Sequence, residues 1–308
     1  MTTSVPPYVL ITPARNEARY IEHTLRSVVS QTVLPLKWVI VNDGSTDDTS
    51  AKVKAYLPAN PWIELIDLPV RKERHFAAKV NAFKTGLTRV LHLDYAVIGN
   101  LDADVTLDSD HFEFLVSRFQ VDPTLGVAGT IFREDGYSSD KDSFEGNKHV
   151  SGQCQLFRKE CYEQIGGYQP NKAGGIDWMA VTTARMLGWK TQSFRERVFF
   201  HHRAMGTAER GRLASSFSYG EKDYYLGGHP LWELFRVTYR MTKRPYLLNG
   251  LALGSGYAYA ALRRTPRPVS AQLMQFHRKE QMEKLKAILS RLLNLKRIDN
   301  FNVMHEKP

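Results

Sequence analysis

Cysteine is nearly missing: the 308 residues hold two, Cys154 and Cys161. That excludes a disulfide-built scaffold and points to free thiols in a reducing compartment. The opening residues, MTTSVPPYVLITP, lack a basic segment followed by an apolar one, so no secretory signal is legible. Internal repeats and low-complexity tracts are absent as well, which removes solenoids and biased tails. Residues 246–262 carry no charge, but they fall short of the roughly 20 apolar residues a spanning helix needs, and Asn249, Ser255 and three glycines weaken them further. Acidic residues are scarce in one part only. Residues 1–194 hold 21 Lys+Arg and 23 Asp+Glu, whereas residues 195–308 hold 21 and 9, a net of +12 within a chain of +10. Such asymmetry points to an anionic partner: nucleic acid, a membrane surface or a phosphorylated substrate. What is present, 43% hydrophobic and 24% charged residues, is ordinary globular composition and excludes a disordered or fibrous chain. The length allows one large α/β domain or one domain with an appendage, domains commonly running roughly 100–200 residues.

The first two hundred residues alternate between short apolar runs and amphipathic stretches. Residues 8–12 (YVLIT), 37–42 (KWVIVN), 62–68 and 95–101 read as buried strands, being β-branched and bounded by turn residues. Between them, 17–30 places Tyr20, Ile21, Leu25, Val28 and Val29 at helical spacing, and 75–90 reads as a second helix. The turn DGSTDDT, residues 43–49, precedes a helix start with Ser45 or Thr46 as N-cap. Strand–helix–strand alternation predicts right-handed crossovers and a mainly parallel α/β sheet with helices on both faces, and ligands bind beyond the C-terminal strand ends of such sheets. Further on, 126–133, 152–158 and 198–202 are strand-like, 177–187 is helical and 134–148 is a polar segment.

The polar residues at those strand ends carry the chemistry. Asp102 and Asp104 follow the apolar run 95–99, and two carboxylates one residue apart can face one hard divalent cation. Mg²⁺ or Mn²⁺ there would bridge phosphate oxygens and neutralise a departing diphosphate. Taken alone the pair is equally a solvated acidic turn. Asp43, with Gly44 giving the tight turn, can accept from a base N–H or a ribose hydroxyl, and the segment is equally a helix cap. Residues 12–17 (TPARNE) form the first strand-to-helix loop.

Three blocks, YVLITPARNEARYIEHTLRSVVSQT, WVIVNDGSTDDT and VIGNLDADV, stand in an order and spacing that resembles the nucleotide-binding half of family 2 glycosyltransferases, whose fold is the GT-A, Rossmann-like sheet. A fourth, GQCQLFR through IGGY at 152–168, resembles the family's acceptor-side strand and loop. A fifth, GGIDW through GW at 174–189, resembles its base-bearing segment. The resemblance covers residues 8–203, with 8–105 as the nucleotide-sugar half and 106–203 as the acceptor half. It implies that Thr12, Arg15 and Glu17 line the nucleoside pocket, that Asp43 contacts the base, and that Lys79 and Asn81 lie near the ribose or phosphates. It makes Asp102 and Asp104 the motif for Mn²⁺ or Mg²⁺, and Asp177 the general base. Asp177 would also suit a helix N-cap. Ile176 stands where many members carry an acid, and an apolar neighbour raises a carboxylate's pKa. One histidine of His201-His202 completes the metal site in many proteins of this fold. Strand alternation lets only one face it, and His202 is taken as that one because Arg203 and a Gly- and Ser-rich loop follow. Arg203, Arg210 and Arg212 in that loop suit phosphate oxygens. The Gln-x-x-Arg-Trp block of the family's processive members is missing, which argues for transfer of a single sugar.

Residues 204–308 form a basic, mostly helical region. The uncharged 246–262 reads as a buried helix, an interfacial or re-entrant one, or a short span, with basic flanks and tyrosines that suit a membrane interface. Residues 270–297 make a basic amphipathic helix. The expectation is an inverting glycosyltransferase moving one sugar from a nucleotide-diphosphate sugar to a saccharide or lipid-linked saccharide at the cytoplasmic face of an anionic membrane. A nucleotidyltransferase would carry a Gly-rich loop after its first strand, and TPARNEARY has no glycine. A nucleic-acid binder would show a finger or RNP pattern, and the basic half has neither. A non-catalytic membrane-associated scaffold would have no use for Asp102, Asp104 and Asp177 together.

Overall fold

The computed structural model describes residues 5–70, 76–142, 145–171, 174–203, 211–294, 299 and 301–302. Two compact units divide the chain, Met1–Arg203 and Ala204–Pro308. In the first, β1 (Tyr8–Ala14), α1 (Ile21–Val29), β2 (Lys37–Asn42), α2 (Thr49–Lys54), β3 (Ile63–Asp67), α3 (Phe76–Leu87) and β4 (Val97–Leu101) alternate strand and helix. Next come β5 (Val105–Thr106), α4 (His111–Val121), β6 (Leu125–Glu134), β7 (Tyr137–Ser138) and α5 (Ser139–Asp142). The unit closes with β8 (Cys154–Arg158), α6 (Lys159–Gln164), α7 (Ile176–Met186) and β9 (Lys190–His201).

One curled sheet takes the order β3-β2-β1-β4-β8-β6-β9-β5, with β7 on β6. β1 runs parallel to β2 and β4, and β2 to β3. β8 is antiparallel to both β4 and β6, so β6 regains the direction of β4, and β9 runs parallel to β6. The C-terminal ends of β1, β2, β3, β4, β6 and β9 therefore share one edge. Alternation along β1 splits the core: Tyr8, Leu10 and Ala14 pack with Ile21, Leu25 and Phe112 on one face, Val9 and Ile11 with Val80 and Phe83 on the other. Helices on both faces leave the strand ends as the free polar edge.

Two expectations about the loops give way here. Neither Ser45 nor Thr46 caps α2, whose N-cap is Asp48. The Ser45 hydroxyl instead accepts from the Asn16 N–H, and the Thr46 N–H donates to the Asn16 side chain, so the β2 turn is tied to the β1 loop. Gly44 adopts φ +67°, with the Pro69 carbonyl oxygen 2.6 Å from where a Cβ would lie, so no other residue fits. The polar segment after β6 is also less irregular than its composition suggests, since β7 and α5 lie in it.

The second unit is helical: α8 (Arg212–Tyr225), α9 (Pro230–Met241), α10 (Leu248–Leu262) and α11 (Ala271–Leu293). The expected arginine loop is thus a helix from Arg212 onward, while Arg210 lies outside the described residues. Its glycine has a packing reason. A methyl on Gly220 would strike the Leu253 carbonyl, and one on Gly256 the Phe217 carbonyl, so α8 and α10 cross with their backbones in contact. Ser270 caps α11, its hydroxyl accepting from the Leu273 N–H. No helix among the described residues is long and apolar enough to cross a membrane.

Candidate active site

Three strand ends supply the charged cluster of the first unit. Asp102 and Asp104 follow β4, Glu134 ends β6, and His201 ends β9 with Arg203 just beyond it. α3 brings Lys79, whose Nζ lies 2.5 Å from Asp102 Oδ1. Asn100 holds the acidic turn in place. Its Nδ2 donates to the Gly152 carbonyl at 2.6 Å and to Asp102 Oδ1 at 3.3 Å. His201 sits between two carboxylates, Nδ1 2.7 Å from Glu134 Oε1 and Nε2 3.4 Å from Asp104 Oδ1. The Arg203 guanidinium bonds Glu17 and lies 3.7 Å from Asp104 Oδ2.

The electrostatics follow from this crowding. Burial opposes charge on His201, but hydrogen bonds to Asp104 and Glu134 outweigh it and raise the imidazole to about 9. Burial works against the charge of Asp104 too. The His201 hydrogen bond and the His201, Arg203 and Lys79 charges overcome it and hold the carboxyl below its ordinary value. Asp102 goes the other way, pushed up by burial and by Asp104 against the pull of Lys79. The carboxyl groups of Glu17, Asp102, Asp104 and Glu134 thus face three cationic groups, Lys79, Arg203 and the protonated His201. Two carboxylates and an imidazole are the donor types a divalent cation such as Mn²⁺ or Mg²⁺ takes, so the residues fit one by chemistry. Among the described residues no three such side chains converge as a finished cage.

The histidine pair is inverted relative to expectation. His202, expected at the metal, donates only its backbone N–H to the Asp104 carbonyl, at 2.9 Å. Its ring turns to Thr106 Oγ1 at 2.8 Å and stacks on His23 with centroids 4.5 Å apart. The reason is pairing: His201 lies opposite Val105 in the β9–β5 ladder, and the pleat sends the next side chain to the other side. Thr12 departs as well. It is fully buried, and its hydroxyl accepts from Trp38 Nε1 at 2.9 Å, because it shares the Leu10 face of β1. Asn81 lies exposed on α3, two residues from Lys79 and so on another face of the helix, away from the acidic pair. Arg15 is half-buried just past β1, and Asp43 is buried just past β2, its N–H donating to the Ala14 carbonyl.

Asp177 is in the first turn of α7, but Gly175 is the N-cap, so the aspartate's side chain is not the cap. Gly174 and Gly175 both hold positive φ, +89° and +77°, and turn the chain into the helix as other residues would not. Gly152 then lets the carboxylate approach: a Cβ there would lie 2.8 Å from Asp177 Cβ and 3.1 Å from Oδ2. Gly152 is also the residue whose carbonyl Asn100 holds, so Asp177 packs beside the Asp102 turn. Its charge is among those that raise Lys79. Glu134 and Asn100 were missed as functional residues. Glu134 stood one residue past an expected strand, the criterion that had picked out Asp43 and Asp102.

Residues 9–149 match the family described as Glycosyl transferase family 2. The chain is 29% identical over 196 residues, 57% of its own length and 50% of the relative's, to the 4,4'-diaponeurosporenoate glycosyltransferase of Staphylococcus aureus. It therefore spans about half the length of the curated relatives it matches. Among solved structures, the mannosyltransferase PcManGT of Pyrobaculum calidifontis, in complex with GDP-Man and Mn²⁺, is similar at TM-score 0.54 and 20% identity, over 95% of this chain and 81% of that one. S. aureus TarS 1-349 with UDP-GlcNAc is similar at TM-score 0.55 and 14% identity, over 96% and 89%. These likenesses are of fold, the GT-A arrangement of sheet and helices. Residues 9–149 thus carry the sequence pattern of glycosyl transferase family 2, and the sheet has the GT-A arrangement of the structures it resembles.

Proposed function

We propose that the protein transfers one sugar, with inversion, from a nucleotide-diphosphate sugar to an acceptor hydroxyl. The observation that carries this is the placement of Asp177 against Gly152, beside the Asp102 turn, with two cations already at the acidic pair. Asp177 takes the proton of the acceptor hydroxyl. The oxygen attacks the anomeric carbon from the face opposite the diphosphate, the bond from that carbon to the diphosphate oxygen breaks, and a nucleoside diphosphate leaves. Lys79 and Arg203 face the phosphates and neutralise the charge that develops on them. Asp43 and Arg15 flank the nucleoside at the ends of β2 and β1. Asp102, Asp104 and His201 would hold Mn²⁺ or Mg²⁺, which when bound supplies Lewis-acid stabilisation of the leaving group.

The acceptor is a saccharide or lipid-linked saccharide, and the protein works peripherally at the cytoplasmic face of an anionic membrane. The relatives named for 4,4'-diaponeurosporenoate support an apolar acceptor. The basic second unit supports an anionic surface. A panel of UDP-, GDP- and dTDP-sugars with Mn²⁺ or Mg²⁺ tests the donor: one is bound in a metal-dependent way, and binding of none would sink the reading. Asp177→Asn tests the base. It abolishes transfer and leaves donor binding intact, and retained turnover would show another base at work.

A further inference from the structure

The second unit carries an open apolar face that the transfer chemistry does not use. α10 buries Asn249, Gly250, Leu253, Gly256 and Ala260 against its neighbours. Its other side leaves Leu248, Leu251, Tyr259 and Leu262 exposed, at 53%, 52%, 39% and 86% of their free surface. These fall at helical spacing along one stripe of about 22 Å, at 1.5 Å per residue. The entry to α10 extends the stripe with Tyr246 and Leu247, both more than half exposed. A single exposed leucine is ordinary, but an apolar stripe on a helix with no charged residue, interrupted only by exposed Ser255, is a binding surface.

Charge says what covers it. Residues 234–279 contain nine Lys and Arg and no Asp or Glu. Lys243 and Arg244 precede α10, and Arg263 and Arg264 follow it, so each end of the stripe carries two cations. Each end also pairs a tyrosine with a guanidinium: Arg244 lies 5.9 Å from the Tyr246 ring and Arg263 4.7 Å from the Tyr259 ring. Tyrosine and arginine favour the headgroup layer of a bilayer. Cations at both ends exclude end-on insertion, which would drag one pair into hydrocarbon. They fit a helix lying in the plane of the surface, with leucines in the acyl boundary. A nucleic acid would satisfy the cations and leave the leucines in water.

We propose that the open face of α10 docks the protein flat on an anionic lipid bilayer through Leu248, Leu251 and Leu262, its basic ends contacting headgroup phosphates. This names the surface behind the peripheral-membrane part of the proposed function and is independent of the chemistry at Asp177.

The test uses vesicles of phosphatidylcholine with phosphatidylglycerol, against phosphatidylcholine alone. The full chain floats with the anionic vesicles at low salt, and Leu251→Asp with Leu262→Asp cuts the floated fraction on the order of tenfold. Circular dichroism and donor binding confirm that the variant is folded. Where it fails to fold, single labels decide. Cys154 and Cys161 are both fully buried, so an environment-sensitive dye on Leu251→Cys or Leu262→Cys reads that site alone. Its emission shifts to the blue on anionic vesicles, while a label on Val121→Cys, exposed in the first unit, stays unchanged. A wild-type chain that never floats overturns both this docking and the peripheral reading. Flotation with unshifted labels at 251 and 262 overturns this face alone. A dimer that the aspartates split, or duplex DNA bound with no lipid binding, assigns the face to a second copy or a nucleic acid and overturns the lipid.

Discussion

At the scale of single residues, His201 and His202 show where a sequence stops being informative. Two adjacent histidines at a strand end are equivalent until the neighbouring strand fixes the register, and that strand, β5, has two residues and no hydropathy signature. Once Val105 pairs with His201, its ring is the one set between Glu134 and Asp104, where the proposed cation would lie. Glu134 accepts a hydrogen bond from Nδ1–H, which orients the ring with Nε2 toward Asp104, the nitrogen that would lose its proton to a bound cation. His201→Ala should therefore weaken Mn²⁺ binding in the presence of nucleotide by at least about tenfold, and His202→Ala should leave it nearly unchanged, as read by metal titration followed by electron paramagnetic resonance. Thr12 departs for a similar reason: its side of the strand, turned to Trp38 in the core, is not legible from its place in the sequence. His111 gives a second measurable quantity. It is fully buried at the start of α4, edge-on to Phe112 and Phe199, and burial drives its imidazole down to about 4. Between the ordinary 6.5 and that value the unfolded chain takes a proton that the folded one refuses. Stability thus falls as pH drops from neutral toward 4, by up to about 3 kcal/mol. His111→Leu should flatten this slope, checked by urea unfolding near neutral pH and at about pH 5.

At the scale of elements, the reading succeeded wherever buried β-branched runs alternate with amphipathic helices. β2 has the bounds expected of it, and β1, β3, β4 and α1 differ only at their ends, because four parallel strands covered on both faces leave little freedom in pattern. It failed where glycine and serine imitate loop composition. Arg212–Tyr225 is a helix because Gly220 faces a crossing backbone, information that composition does not hold. The same logic makes Gly152 an element-scale probe of the active site. Gly152→Ala puts a methyl against the Asp177 carboxylate and should lower kcat by about 10- to 100-fold through misplacement of the base. Donor affinity should hold, since the Asn100 bond to the residue 152 carbonyl is retained. A matched fall in donor affinity would mean that the Asp102 turn had moved instead. The match to the family model is similarly local. The acidic pair and the first strands lie inside residues 9–149, whereas Asp177, His201 and Arg203 lie outside, so the roles proposed for them rest on the geometry of this chain.

At the scale of the molecule, the charge is divided between the two units rather than spread over the chain. The sequence asymmetry appeared between residues 194 and 195, but the structural division comes after Arg203, and Arg195, Arg197 and Arg203 belong to the first unit. Each of the three is committed there: Arg195 to Asp140, Arg197 to Asp110, and Arg203 to Glu17 and Asp104. Divided at that point, residues 1–203 hold 24 Lys+Arg and 24 Asp+Glu, a net of zero, and residues 204–308 hold 18 and 8, the whole net of +10. The two binding events should then answer salt differently. Attraction between the second unit and an anionic surface acts through exposed charges, which are screened once the Debye length drops from about 14 Å at 0.05 M to about 4 Å at 0.5 M. The contacts proposed for a diphosphate, to Lys79 and Arg203 beside the acidic pair, form in a partly buried cluster within a neutral unit, where screening is weaker. Raising salt over that range should release the protein from anionic vesicles and leave its affinity for the donor within about threefold. Flotation and donor titration on one preparation separate the two, and a parallel loss of both would place the donor's phosphates on the basic helices instead of the strand ends.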